Sequence, residues 1–387
     1  MPPKKAKGGT TSKKAKEAEA AALALARFTA LKQMKTDYGA NAKFFVTDPI
    51  PVLVKRIEGE LKKGEGGEDI DKLILTQLHL TPNDIHSLTT TFDAYAALSG
   101  IYLWRAKVAP KGLESLSGFL ISHPTVSTLH LMDCGLTAAT AGHLARICRE
   151  ARGVRVLCAD HNPLGEEGVR VVFEGMREGG RDGAGLVRAS FRYCEAGAGA
   201  AEMVGEVLGG CKGLIDLNLE GNLLSDAGLL ALARALGTNT TLKSLSLATN
   251  QIINRDISLP QPTFTISSSS TTRGGAPTLS TAALPPPLPT TTTTRPTPLS
   301  TLTTALATQN TTLTFLDFRG NHIGTPGGLL ILDMLKSRKA LVGQKQAEGL
   351  VVWISERMSE EVFEGVWECN EAMMGSGGKK GKKGKKK

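Results

Sequence analysis

The fold is decided by residues 214–236, which read LIDLNLEGNLLSDAGLLALARAL. Leu217 and Leu219 alternate along the chain, as in a short strand with one buried face. Asn222 follows where such a strand must bend, and its side-chain amide can satisfy backbone groups left open there. The next segment has the inward stripe of an amphipathic helix, formed by Leu229, Leu232, Ala233 and Leu236. One strand and one helix cannot bury these faces alone, so the unit requires copies of itself on either side.

The copies are present along most of the chain. The same frame starts at Ile70, Leu98, Val126, Val154, Leu186, Leu214, Leu242 and Leu313. The spacing is 28 residues at five of the seven steps, and the last step contains an additional segment rich in Ser, Thr and Pro. Eight matching strand–helix frames predict an α/β solenoid, with a parallel sheet on the concave side and helices on the convex side.

The pattern L-x-x-L-x-L-x-x-N-x-L from Leu214 to Leu224 resembles the leucine-rich repeat family. The 28-residue period resembles its ribonuclease-inhibitor-like class, and the resemblance extends from Ile70 to Leu335. At the Asn position the chain departs from the pattern in four repeats, which have Leu78, Ala106, Cys134 and Cys194. The resemblance implies a horseshoe with a binding role. The sequence has no glycine-rich phosphate loop, metal cluster or acid/base carboxylate pair, which predicts no enzymatic activity and no cofactor.

The sequence around the repeats predicts six segments. They are a disordered basic tail at 1–15, a helical N-terminal cap region at 16–69, the repeat domain at 70–335, a disordered insertion within it at 254–298, a C-terminal cap at 336–373 and a disordered Lys-rich tail at 374–387.

Both caps have helical patterns. Lys16–Lys35 is predicted to be a helix with Leu25, Phe28 and Leu31 on one side. A second helix is predicted with Asp48 as N-cap and Pro49 at its first position, its stripe Leu53, Ile57 and Leu61 packing on the first repeat. The C-terminal cap is predicted to be a strand at Leu350–Ile354 and a helix at Glu356–Met373, with Val362, Val366 and Trp367 turned inward.

The net charge of +9 is located in the tails. Residues 1–20 contain six Lys and two Glu, and the C-terminal tail has Lys379, Lys380, Lys382, Lys383, Lys385, Lys386 and Lys387. Such clusters predict salt-dependent binding of an acidic polymer, either tubulin tails or nucleic acid. The string LPPPLP at 284–289 is either a spacer or a ligand for an SH3-, EVH1- or profilin-type partner.

The distribution of apolar residues and Cys predicts where the protein is located in the cell. The N-terminus has no apolar signal region and no segment approaches the length of a membrane span, which predicts a cytoplasmic protein, in a cilium or on the cytoskeleton, with the nucleus as the alternative. Six scattered Cys without C-x-x-C are typical of small buried hydrophobic residues in a reducing compartment. The sequons at Asn239 and Asn310 are therefore not expected to be glycosylated.

The repeat frame also maps the concave face, because parallel stacking puts equal frame positions side by side. The residue between the two strand Leu gives the row Ile74, Tyr102, His130, Cys158, Ser190, Asn218, Ser246 and Asp317. The residue after the second strand Leu gives the row Thr76, Trp104, Met132, Asp160, Arg192, Glu220, Ala248 and Arg319. A third row has Arg188 beside Asp216.

Two groups on this map are candidates for partner binding. The apolar group is Tyr102, Trp104, His130 and Met132, whose residue types serve as interface anchors, unless the N-terminal segment folds over them. The charged group is Asp160, Arg188, Arg192, Asp216, Glu220 and Arg319, which either sets partner specificity or pairs internally on a solvated face. His130 and Cys158 are neighbours on the map, but no third orienting group or oxyanion donor follows from the sequence.

Three functions are consistent with these observations. The first is a non-catalytic scaffold that binds a protein on the concave face, with the Lys tails attaching it loosely to an acidic ciliary or cytoskeletal assembly. The second is a GTPase-activating protein similar to the Ran GTPase activator, which belongs to the same repeat class but has an acidic tail and a catalytic Arg without a counterpart here. The third is a nucleic-acid or ribosome-associated factor that acts through the tails.

Overall fold

The computed structural model describes residues 10–180, 185–254, 296–355 and 357–375. Its helices are α1 Thr10–Phe44, α2 Pro51–Lys62, α3 Pro82–Asp93, α4 Pro110–Ser122, α5 Ala141–Glu150, α6 Gly165–Gly179, α7 Ala198–Gly210, α8 Ser225–Thr238, α9 Pro298–Thr308, α10 Gly324–Gly343 and α11 Glu360–Gly375. Its strands are β1 Lys72–Thr76, β2 His79–Leu80, β3 Gly100–Trp104, β4 Lys107–Val108, β5 Thr128–Met132, β6 Val156–Cys158, β7 Arg188–Ser190, β8 Asp216–Asn218, β9 Ser244–Ser246, β10 Phe315–Asp317 and β11 Val351–Trp353.

The main sheet contains nine parallel strands in chain order, from β1 through β3 and β5–β11. The register agrees with the predicted frame, since Tyr102 pairs with His130 and Trp104 pairs with Met132. Parallel strands lie about 4.8 Å apart, whereas packed helices need about 8–10 Å. The layered structure therefore curves with its sheet on the inside, and the predicted α/β solenoid is confirmed.

The core is one continuous layer between the sheet and the helices. Leu217 and Leu219 of the fold-deciding stretch are completely buried, as are Leu229, Leu232 and Leu236 on α8. The equivalent side chains of each repeat join them in a single cluster that reaches from Leu31 on α1 to Cys369 on α11. Each repeat thus completes the core of its neighbour, which explains why the inward Leu positions recur so regularly.

The frame Asn connects successive repeats through hydrogen bonds. Asn222 donates its amide to the carbonyls of Phe191 and Leu219, both at 2.8 Å, and accepts from the N–H groups of Cys194 and Ala196 at 3.1 and 3.0 Å. Asn162, Asn250 and Asn321 make the same type of bridge. One side chain therefore satisfies backbone groups in two repeats at the bend after each strand.

The repeats without this Asn use other contacts. Cys134 and Cys194 place Sγ 3.4 and 3.3 Å from carbonyls of the preceding repeat. Leu78 and Ala106 have no polar side chain, and there the backbone itself forms a two-stranded parallel ladder between β2 and β4. Backbone pairing thus replaces the amide bridge where the sequence departs from the family pattern.

Two further Asn residues, which are outside the frame position, lie just after the ends of helices. Asn239 is buried, donates to the carbonyl of Leu208 at 2.6 Å and accepts from the N–H of Leu242 at 2.8 Å. Asn310 is also buried and donates to the carbonyl of Leu236 at 2.9 Å. The Asn side chains of both sequons are therefore buried, and their amides are already engaged in hydrogen bonds.

The N-terminal cap differs from the prediction in three places. Residues 10–15, predicted to be disordered, form the first turns of α1, where Lys13 and Glu17 lie 4.0 Å apart as an i,i+4 pair. The inward residues of α1 are Leu31, Met34, Tyr38 and Ala42, whereas Leu25 is exposed. The second helix starts at Pro51 with Ile50 as N-cap, not at Pro49, because the Ile50 N–H is held by the Tyr38 hydroxyl at 2.8 Å.

The C-terminal cap contains β11 and α11, which begins at Glu360. Val362 and Val366 are buried, but Trp367, predicted to face inward, is 54% exposed because its indole lies on the solvent side of α11. Asn370 turns inward instead. Its amide accepts from the Val352 N–H at 3.0 Å and donates to the Val352 carbonyl at 2.8 Å. It therefore occupies the positions where a further strand would pair with β11.

The inserted segment leaves and rejoins the solenoid at one point. Residues 255–295, which include the Pro-rich string 284–289, lie outside the described residues, as does the Lys tail from 376 onward. The ends of the insertion meet, because the Thr297 hydroxyl donates to Asn254 Oδ1 at 2.9 Å. Thr297 also caps α9 by accepting from the Ser300 N–H.

Truncation of an inward Leu should destabilise the whole array. Leu217→Ala removes a completely buried side chain between stacked repeats and should lower the free energy of unfolding by about 2–5 kcal/mol. Leu223→Ala is the matched control, because Leu223 is 48% exposed and should cost less than about 1 kcal/mol. Urea denaturation measures both, and equal losses would contradict the assigned frame.

Removal of the insertion should leave the fold intact. Since Asn254 and Thr297 are already in contact, replacing residues 255–296 by a short Gly-Ser linker should shift the melting temperature by less than about 3 °C. Circular dichroism melting measures the shift. A drop of 10 °C or more would mean that the inserted segment contributes packing to the horseshoe.

Candidate protein-binding face

An apolar patch lies on the sheet at the first three repeats. It consists of Ile74, Tyr102, Trp104, His130 and Met132, which we call the apolar patch. Ile74 is 50% exposed and Trp104 is 52% exposed, whereas Leu103 and Leu131 between the patch residues are buried. The Tyr102 and His130 rings lie 4.8 Å apart. The patch therefore brings together the four predicted apolar residues and adds Ile74, which pairs with Tyr102 in register.

The N-terminal helices pack elsewhere and leave this patch open in the part of the chain that the structure describes. The principal contacts of α1 are with α3 in the helical layer and with residues 51–66, and the principal contact of α2 with the sheet is at β1. Gly100 allows the Tyr102 ring to lie back along its own strand, since a Cβ at Gly100 would come within 2.7 Å of the ring. The sheet therefore supports the patch, and Gly100 leaves the space in which the Tyr102 ring lies.

The predicted charged group is largely paired within the protein. Asp160 is only 4% exposed, and its Oδ1 accepts from the Ser190 hydroxyl at 2.6 Å and the Arg192 N–H at 2.9 Å. The prediction that Asp160 faces a partner is therefore wrong, because its carboxylate closes open backbone at the end of β7. The Arg192 guanidinium lies 2.9 Å from Glu220, which raises the pKa of Arg192.

The other charged residues of this group are Arg188 and Asp216 in the middle of the sheet and Arg319 near its C-terminal end. Arg188 is exposed and pairs in register with the half-buried Asp216, but no ion pair joins them among the described residues. Arg319 lies 2.7 Å from the buried Asp317, and its guanidinium lies 4.3 Å from the centre of the Trp353 ring. Trp353 is 41% exposed, so the sheet has a second aromatic position at its opposite end.

A further row of equivalent residues lies just after the strands, and it was not among the rows predicted for the concave face. The residue two positions after the second strand Leu has a positive φ in every repeat: Gln77, Arg105, Asp133, His161, Tyr193, Gly221, Thr249 and Gly320. His161 and Tyr193 stack with their ring centres 4.8 Å apart, and Gly221 is required because a Cβ there would come 2.3 Å from the Tyr193 ring. The 28-residue period is the signal that could have located this row.

The neighbouring His130 and Cys158 are poorly suited to nucleophilic chemistry. They pair in register, but burial, with a smaller contribution from Asp160, raises the pKa of the Cys158 thiol to about 12. Desolvation lowers the pKa of His130. The thiol therefore remains protonated near neutral pH. In the described ranges no three His, Cys, Asp or Glu side chains form a metal-binding group, and no helix there has the length and apolar character of a membrane span.

This geometry defines a repeat solenoid of the kind that presents its sheet as an extended binding surface. A family model described as "Leucine Rich repeat" matches residues 309–332. Ribonuclease inhibitor from Sus scrofa is 28% identical over 187 residues, covering 48% of this chain and 40% of the inhibitor. The chain is a leucine-rich repeat protein of the ribonuclease-inhibitor-like class.

Two further proteins are similar to this chain. NACHT, LRR and PYD domains-containing protein 5 from Bos taurus is 27% identical over 168 residues, covering 43% of this chain and 15% of that protein. An internalin structure from Listeria monocytogenes covers 80% of this chain and 91% of its own, at 12% identity and a TM-score of 0.28. Because the chain spans 40% of the length of the ribonuclease inhibitors, the match identifies the repeat class and leaves the partner open.

The native protein should resist thiol alkylation. All six Cys are buried, and burial raises the pKa of Cys134, Cys148, Cys158 and Cys194 to about 12. Iodoacetamide at pH 8 should therefore modify less than about one thiol per chain in an hour, against all six in guanidinium chloride. Intact mass spectrometry counts the adducts. Rapid native modification of Cys158 would restore it as a candidate nucleophile.

Proposed function

We propose that this protein is a non-enzymatic scaffold whose apolar patch binds a protein partner on the concave face. The observation that carries the proposal is the exposure of Trp104 and Ile74 on the parallel sheet, on β3 and on the edge strand β1. Aromatic side chains held on such a sheet lose little conformational entropy on binding and bury a large area. These properties are typical of the few residues that supply most of the affinity of an interface.

The polar residues around the patch are suited to specificity. Asp133 lies 3.0 Å from Lys107 and 3.6 Å from Arg105, and the Arg105 guanidinium lies 5.9 Å from the Trp104 ring. Further along the sheet the stacked His161 and Tyr193 adjoin the Arg192–Glu220 pair. A partner that lies along the concave face would meet an apolar end first and a polar, charge-paired region beyond it.

The Lys-rich tails would add electrostatic attachment. Their lysines from Lys379 to Lys387 lie outside the described residues, and the support for this role is their charge alone. An acidic polymer such as tubulin tails would place the scaffold in a ciliary or cytoskeletal assembly. Nucleic acid is the alternative acidic polymer, and it would suit a nuclear location.

Substitution of the central Trp should separate binding from folding. Trp104→Ala should change the free energy of unfolding by less than about 1 kcal/mol, because an exposed side chain leaves no cavity. It should weaken the natural partner by about 2 kcal/mol or more, roughly 30-fold in Kd, mainly through faster dissociation. Biolayer interferometry with the partner captured on the wild-type chain measures the affinity.

The matched control is Leu329→Ala. Leu329 is 47% exposed, much like Trp104, but it lies on α10 in the helical layer, outside the concave face, so its removal should leave the affinity unchanged. Mass spectrometry of material captured by the two variants identifies the partner as the protein lost only with Trp104→Ala. Equal retention by both variants would move the binding site away from the apolar patch, and a captured GTPase or ribosomal RNA would favour the other functions.

A further inference from the structure

An aromatic groove lies between β11 and α11, at the opposite end of the sheet from the apolar patch. It is lined by Trp353, Ile354, Phe363, Val366 and Trp367 and encloses about 190 Å³. Trp353 is 41% exposed and Trp367 is 54% exposed, and these are two of the three Trp in the chain. A shallower extension of the groove continues along α11 past Met358. Exposed Trp side chains of this size indicate a surface that another segment covers.

The edge of this groove is acidic. Glu360, Glu364 and Glu368 are exposed and follow one another at i, i+4 and i+8, so they form one line on α11 beside Phe363 and Trp367. No ion pair involves any of the three among the residues that the structure describes. Glu371 continues the line and accepts from the Trp367 indole N–H at 3.2 Å. The helix contains no Lys or Arg. Arg319 also lines the groove, but it is paired with the buried Asp317 at 2.7 Å and lies over the Trp353 ring, so the three Glu of α11 keep their negative charge.

We propose that the chain's own Lys-rich segment, residues 379–387, docks in this aromatic groove. The segment follows Ser376-Gly-Gly directly after the end of α11 and has seven Lys and no acidic residue. Lys stems pack on indole faces while the ammonium groups interact with the ring and with carboxylates. The groove thus supplies both kinds of contact that a Lys-rich peptide can use, and an acidic or purely apolar segment would leave one kind unused.

The covalent connection makes the contact favourable at low intrinsic affinity. Glu364 lies about 16 Å before the end of α11 at 1.5 Å per helical residue, and twelve extended residues can span about 40 Å. The segment can therefore turn back along the helix and reach the whole acidic line. Because the attachment is intramolecular, its effective concentration is in the millimolar range. Docking would also engage lysines that otherwise bind acidic polymers, so the groove would regulate that attachment.

Tryptophan fluorescence tests the docking directly. In a Trp104→Phe background the emission comes from Trp353 and Trp367 alone. At about 20 mM salt, where surface charges are weakly screened, acrylamide quenching should increase by about twofold when all seven Lys of residues 379–387 are replaced by Gln. The difference should disappear at 0.5 M salt. It should also disappear in Glu360→Gln, Glu364→Gln, Glu368→Gln, which keeps the aromatic groove.

The matched control is Glu114→Gln, Glu195→Gln, Glu202→Gln, which removes the same charge from exposed positions on other repeats and should retain the difference. Quenching that is equal with and without the seven Lys would overturn the proposal, as would a difference that survives loss of the three groove Glu. A difference that appears only as the protein concentration rises from 1 to 50 µM would also overturn it, by assigning the groove to the tail of a second copy. The test uses no partner, and the Trp104→Phe change in the apolar patch is common to all the variants compared, so its outcome is independent of the concave-face proposal.

Discussion

The structure depends on the burial of one inward Leu stripe between consecutive repeats. A single strand–helix unit exposes both of its apolar faces, and only stacking removes them from water. Leu217, Leu245 and Leu316 lie side by side in adjacent strands, each almost completely buried. The Asn amide acts on the same boundary, since Asn222 connects backbone groups of two repeats. Hydrophobic burial fixes the stacking direction, and the amide fixes the bend after each strand.

This arrangement separates stability from function along each strand. Alternate residues point into the core or out of the sheet, so the apolar patch and the inward Leu positions are interleaved in sequence but lie on opposite faces of the sheet. Leu103 is buried between the half-exposed Tyr102 and the exposed Trp104. A side chain on the outward face can therefore change without opening a cavity. The sheet provides a rigid support on which a binding surface is determined by few residues.

The sequence predicted what depends on periodicity. The strand order, the register and the outward direction of Trp104 all follow from a repeat of 28 residues with alternating burial. The prediction from periodicity was wrong where a side chain could either face solvent or be buried. Asp160 occupies an outward frame position, but a short carboxylate at a strand end can turn back to bind the next strand's backbone, and here it does. Trp367 and Asn370 are both on α11, and composition alone favoured burial of the Trp. The structure buries the Asn because β11 requires a hydrogen-bonding partner.

The amide of Asn370 has a consequence for how this protein could change in length. An open parallel sheet ends in a strand that would accept another, whether from a new repeat or from a foreign chain. Here one side chain occupies both outward backbone groups of Val352, and at the other end Arg56 donates to the carbonyl of Lys72 at 2.5 Å. Termination is thus a property of the two caps and not of the repeats between them. Duplication or loss of an internal 28-residue unit would leave both caps in place, so the array can vary in span while its boundaries remain the same.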